Sequence, residues 1–230
     1  MTTIDARHGM GHGGAESPPW ARHEHGPHWR SREAEFDAAK FGMWLFLATE
    51  VLLFAGLFCS YAVFRMLHPE AWANGSHYLD WRFGFTNTVI LLVSSFTIAM
   101  SIHNAQKNQQ GWLKFNLAFT VLCAIAFVWI KLQFEYIPKL SAGKAPGMWF
   151  SYPFAENPYE PIWWSVYYVA TGIHATHVLI GVGLISWLLI RSYKNHFGPG
   201  YYTPVEIVGL YWHIVDVIWI FLFPLLYLIH

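Results

Sequence analysis

Charge is scarce in this 230-residue sequence: Asp, Glu, Lys and Arg make up 12% of it, about half the share of an average soluble domain. Fourteen bases balance fourteen acids. Net charge is therefore silent on nucleic acid, and no basic run suggests such a partner. Cysteine is rarer still. Cys59 and Cys123 lie singly in separate apolar stretches, which argues against a disulfide or a thiolate metal site and reads as two small buried hydrophobes. The first 40 residues contain no 7–15-residue apolar stretch, so no secretory signal peptide is expected and the first span is expected to direct insertion itself. No internal repeat is evident.

Apolar and aromatic residues fill the space that charge leaves. The chain is 55% hydrophobic, with 13 Trp, 18 Phe and 12 Tyr. Five runs, at 41–64, 85–105, 115–134, 162–190 and 207–229, reach about 30 to 43 Å as helices, enough to cross a bilayer. The fold class is an all-α membrane protein, with a five-helix transmembrane bundle over 41–230. Residues 1–40 form a polar tail rich in His, Gly and Pro, expected to be mostly disordered. Its histidines (His8, His12, His23, His25 and His28) match no structural zinc spacing. They read as a solvated tail or, alternatively, as weak copper or zinc ligands.

Five spans put the termini on opposite sides. Arg7, Arg22, Arg30, Arg32, Lys40, Lys107, Lys114, Arg191 and Lys194 share the N-terminal side, against Arg65, Arg82, Lys131, Lys139 and Lys144 on the other. That bias expects a cytoplasmic N-terminus. The longest loop, 135–161, falls outside the membrane, and its Pro, Gly and Asn suggest turns.

A few ionisable residues interrupt the apolar runs: Glu50 in the first, His174 and His177 in the fourth, His213 and Asp216 in the fifth. Such residues cost several kcal/mol in lipid unless they face a bundle interior or a wet cavity and pair with one another. Thr171, His174 and His177 share a helix face, as do His213 and Asp216. Glu50 and Asp216 each lie about 13–14 Å inside their spans. These observations predict one buried network of Glu50, His174, His177, His213 and Asp216 linking spans one, four and five. Gly172, Ala175, Gly181 and Gly183 are small enough to admit a neighbouring helix. The network could fix packing, handle protons or hold haem. Haem fits least, because the histidines have an acid or another histidine three residues away, which suits mutual hydrogen bonding. No His, Cys and Met cluster suits copper.

The motifs "TGIHATHVLIGVG" and "YWHIVDVIWIFLFPLLYL", with "GMWLFLATEVLLFAGLFCSY", "FTNTVILLVSSFTIAMSIHNA", "LQFEY" and "RSYKNHF", resemble subunit III of the haem–copper terminal oxidases, chiefly cytochrome c oxidase subunit III. The resemblance spans roughly 41–229. It implies an accessory subunit with no catalytic residue or redox centre of its own, haem and copper residing in partner subunits. Such a subunit packs against catalytic subunit I of a complex that reduces oxygen to water and pumps protons. It further implies bound phospholipid, support of proton uptake and of stability during turnover, and residence in an energy-transducing membrane, here a bacterial plasma membrane. Arg191 matches a position whose guanidinium meets a lipid phosphate, with Lys194 and His196 as further candidates; simple flanking charge is the alternative. The electron donor, cytochrome c or quinol, would contact other subunits. Many relatives have two further helices before residue 41, where this sequence has its tail, and the loop after Tyr136 has no counterpart. Rival readings are a quinol oxidase subunit III, a free-standing proton channel or transporter, and a membrane b-type cytochrome.

Overall fold

A computed structural model describes residues 18–22, 26–27 and 29–229. The five tail histidines lie outside them. Within the described residues the chain runs through α1 (Arg32–Leu67), α2 (Pro69–His77), α3 (Trp81–Gln106), α4 (Gln110–Ile130), a π-helical turn (Lys131–Tyr136), α5 (Ile137–Ser141), α6 (Glu160–Tyr193) and α7 (Thr203–Tyr227). Five helical stretches are long and apolar enough to cross a membrane, α4 to α5 counting as one. They alternate in direction. One face, called near, carries the start of α1 and the α3–α4 and α6–α7 turns; the far face carries α2, α5 and the long loop.

Two boundaries differ from those expected. Helix α1 begins at Arg32, so residues 32–40 are helical rather than tail. Ser31 Oγ accepts from the Ala34 N–H at 3.1 Å, and Glu33 and Glu35 occupy the first turn, where the helix dipole favours acids. The third span does not stop at 134 but continues to Ser141 through the π turn. Pro138 supplies no N–H and its ring would crowd the carbonyl four residues back; the widened turn accommodates it.

Helix α7 is the hub, packing on α1, α3 and α6. Helix α1 is peripheral. Its buried residues, Leu47, Phe54 and Tyr61, form a single stripe seven residues apart, while Trp44, Leu52 and Met66 face outward. Cys59 also faces outward, correcting the expectation of a buried thiol, whereas Cys123 is buried. A helix touched along one stripe leaves most of its circumference to lipid or to another chain.

Of the small residues in α6, Gly181 is the glycine that contact explains. A Cβ there would stand 2.5 Å from the Trp212 ring of α7, whereas Gly172 and Gly183 face open space. Those two lie away from the α7 seam, so the expectation that they admit a helix fails within this chain. Gly181→Ala should therefore cost about 1–3 kcal/mol through overpacking and lower the thermal unfolding midpoint in detergent. Gly183→Ala should leave that midpoint unchanged.

Candidate functional site: polar side chains inside the bundle

Polar side chains within the bundle gather in three places. The first joins α1 to α6. Glu50 Oε2 lies 2.7 Å from His177 Nε2, and the His177 Nδ1–H donates to the Ile173 carbonyl at 2.8 Å. A carbonyl can only accept, so Nδ1 carries a hydrogen. Nε2 and the carboxylate then hold one proton between them, as imidazolium and carboxylate or as imidazole and carboxylic acid. The pair is neutral either way, which limits its cost in lipid. It faces a groove of about 380 Å³ between α1, α6 and α7, lined by Met43, Phe46, Ile180, Leu184, Ile207 and Tyr211 among others. The Tyr211 hydroxyl donates to the His177 carbonyl at 3.0 Å, and Phe54 presents its edge to the imidazole.

The second lies between α3 and α7. His213 Nδ1 is 2.6 Å from Ser95 Oγ, and the buried Asp216 carboxyl also stands beside Ser95. The indoles of Trp212 and Trp219 donate to Ser94 and Thr88 at 2.9 and 3.1 Å. Asp216 shares a helical face with those two indoles, so it points toward α3.

The third was not foreseen. At the π turn, Lys131 donates to Glu135 Oε2, to Tyr167 at 3.2 Å and to Tyr227 at 2.6 Å. Both tyrosine hydroxyls also donate to Glu135 Oε2. The ammonium sits 5.0 Å from the Tyr167 and Trp219 rings and 5.1 Å from that of Tyr227. Lys131 and Glu135 are 3% and 1% exposed, so this is a fully enclosed ion pair tying α4, α6 and α7 together.

The single network expected from the sequence is thus divided. Glu50 and His177 meet; Asp216 and His213 turn to α3. His174 is buried apart from both, donating Nε2–H to the Val215 carbonyl at 3.0 Å between Phe127 and Trp219. Depth along the helix axes carries no azimuth: Asp216 stands beside Ser95 of α3, whereas Glu50 meets His177 of α6. Both nitrogens of His177 are engaged, whereas His174 has Nε2 on a carbonyl and Nδ1 buried without a hydrogen-bond partner. Among the described residues no three His, Cys, Asp or Glu side chains converge as a metal site.

Near the start of α7, Arg191 lays its guanidinium over Trp187, 5.0 Å from the ring centroid. Trp187 and Tyr201 line a second groove of about 350 Å³ with Glu35, Ala39 and Thr203, and this groove shares Ile207 and Val208 with the first. Lys194 is exposed and His196 half-buried in the turn that follows.

The family model described as cytochrome c oxidase subunit III matches residues 25–230. The chain belongs to that family. A probable quinol oxidase subunit 3 from Staphylococcus haemolyticus is 31% identical over 199 residues, covering 86% of this chain and 92% of the relative. Cytochrome c oxidase subunit 3 from Drosophila yakuba is 32% identical over 195 residues, 82% of this chain and 68% of the relative. A heme-copper oxidase subunit I+III from Aeropyrum pernix is 30% identical over 201 residues, 84% of this chain and 23% of that longer protein. Subunit III of both cytochrome c and quinol oxidases is thus represented among the relatives.

In this member of the subunit III family the Lys131–Glu135 pair makes a sharp expectation. Lys131→Met alone leaves an uncompensated buried carboxylate and should cost about 3–5 kcal/mol. The double variant Lys131→Met/Glu135→Leu should recover most of that loss. Thermal unfolding of the detergent-solubilised chain reads both.

Proposed function

We propose that this chain is the accessory subunit III of a proton-pumping terminal oxidase that reduces oxygen to water. It holds no redox centre, packs against catalytic subunit I, and has its near face toward the cytoplasm of a bacterial plasma membrane. Haem and copper belong to the partner chains. The fused subunit I+III of Aeropyrum pernix supports that association, since a single polypeptide keeps its parts together. The excess of Lys and Arg on the near face supports the orientation.

The observation that carries the functional reading is the 2.7 Å contact between Glu50 and His177 at the wall of an open groove. Such a pair can pass its proton to water in the groove and recover one; the anion left in between is held at the open wall of the groove and not in sealed hydrocarbon. Its role is to support proton uptake into the catalytic subunit, and with it stability during turnover. That groove is otherwise lined mostly by apolar side chains, and Arg191 stands over Trp187, a wall residue of the adjoining second groove, which Glu35 and Thr203 also line. That combination suits a phospholipid, acyl chains in the groove and phosphate on the guanidinium. Lys194 and His196, on the same turn, add positive or polar surface beside the headgroup.

A gentle detergent pull-down of this chain should bring down a haem- and copper-bearing partner, identified by its optical spectrum and by sequencing. Proton flux from the purified chain alone in liposomes would instead make it a free-standing channel or transporter. Within the assembled oxidase, Glu50→Gln should slow proton uptake several-fold, as measured with a pH indicator during turnover; an unchanged rate would leave Glu50 a packing residue. Asp216→Leu should weaken assembly with the haem-bearing chain, read by co-purification. Arg191→Ala should reduce the phospholipid that co-purifies, and an unaltered lipid complement would leave Arg191 as flanking charge.

A further inference from the structure

We propose that residues 146–155, on the far face, form a preshaped anchor seated at the boundary between headgroups and acyl chains of the far leaflet. The sequence there, "PGMWFSYPFA", has no charged residue. Met148 is 89% exposed, Trp149 70% and Phe154 74%, while Phe150 packs against the core. Three large apolar side chains thus point away from the protein, in a loop that connects two membrane helices.

Their projection is built in. The Ser151 N–H donates to the Gly143 carbonyl at 2.9 Å, and the Lys144 N–H to the Lys139 carbonyl at 3.0 Å. Gly143 has φ +85°, a conformation that costs glycine little. The Lys144 ammonium lies 3.4 Å from the centroid of Tyr78 and 4.3 Å from that of Tyr152, with Trp164 at 5.8 Å. This cage clamps the base of the loop to the α2–α3 turn. Burial pushes the Tyr78 phenol up to about 12, so the ring keeps its proton across the physiological range.

Depth identifies the occupant. A Cβ on Gly147 would lie 3.8 Å from Ser165 Oγ. Ser165 is about 7–8 Å along α6 from its start at Glu160. The loop therefore folds back along the shaft of α6 instead of standing off into far-face water. Beside Ser165 runs a furrow of about 200 Å³ between α1 and α6, lined by Leu57, Ser60, Ser165, Val166, Val169 and Ala170. Both serines donate inward, to the Gly56 and Pro161 carbonyls, so the furrow presents a surface as apolar as lipid. An exposed Met and Trp that directly follow Gly147, itself beside the furrow residue Ser165, match the chemistry of the interfacial zone, where an indole keeps its N–H among headgroups and its ring in hydrocarbon. A partner protein's far-face surface is the competing occupant. The proposal does not depend on the functional reading above.

The test uses the full chain with Cys59→Ser and Met148→Cys, labelled with bimane, in lipid nanodiscs, both alone and assembled with its partner chains. Phe154→Cys provides a second site should the first variant fold poorly. The expected result is quenching by lipids with a nitroxide near the headgroup at least twofold stronger than by lipids with one deep in the chain, and protection from aqueous iodide, in both preparations. Iodide quenching equal to that of free label would overturn the proposal and place the loop in water. Loss of lipid quenching upon assembly would overturn it in favour of a protein partner.

Discussion

The hydrocarbon layer offers a polar side chain no water, so hydroxyls, indoles, imidazoles and carboxyls in the spans gain from a partner on their own helix, on a neighbouring helix or at an open groove. That requirement makes α7 the centre of the bundle. Its Trp212, His213 and Trp219 bond to Ser94, Ser95 and Thr88 of α3, its backbone accepts from His174 of α6 and Tyr61 of α1, and its Tyr227 joins the Lys131–Glu135 pair. Dispersion between helices packs as well against lipid as against protein, so these directed bonds decide which helix sits where.

The two ion pairs within the membrane contrast in what surrounds them. Glu135 Oε2 accepts from an ammonium and two phenols, and the ammonium is ringed by aromatic faces. Moving a proton there would break several bonds at once in a site closed to solvent, so the pair acts as a fastener. Glu50 and His177 share a single proton, and each side chain keeps 14% exposure on a groove. The two pairs therefore differ in donor count and in access to a groove.

The spans themselves were legible because 18 or more apolar residues in a row have few other uses, and Glu50 with His177 because buried charge demands a partner. Rotation about each helix was not legible. It placed Asp216 toward α3 and Glu50 toward α6, and depth alone cannot separate those directions. The α3 face that receives α7 was written in the sequence as Thr88, Ser94 and Ser95, six and seven residues apart. A stripe of small polar residues in an uncharged span is such a signal. Lys131 and Glu135 have the i,i+4 spacing of a helical ion pair, but the apolar run ends at 134, which put Glu135 in a loop. The helix carries on past that point because the π turn accommodates Pro138 and the tyrosines of α6 and α7 supply partners. Boundary and cluster were hidden for one reason: both depend on side chains from other spans.

The grooves connect these elements. The deeper one ends at Glu50 and His177, the shallower one opens at the near face beside Glu35 and Thr203, and Ile207 and Val208 line both. Helix α1 forms one wall, tied to α7 at the near end by the 2.7 Å ion pair between Lys40 and Glu206 and at the far end by the Tyr61 bond to the Leu225 carbonyl. Between those two ties α1 touches the bundle along one stripe, which is what leaves the groove open. An apolar occupant of the shallower groove would stand between near-face water and the shared proton. Arg191 lies over Trp187, a wall residue of that shallower groove. The way from the near face to Glu50 and His177 thus runs past the Ile207 and Val208 wall that both grooves share, beside α1.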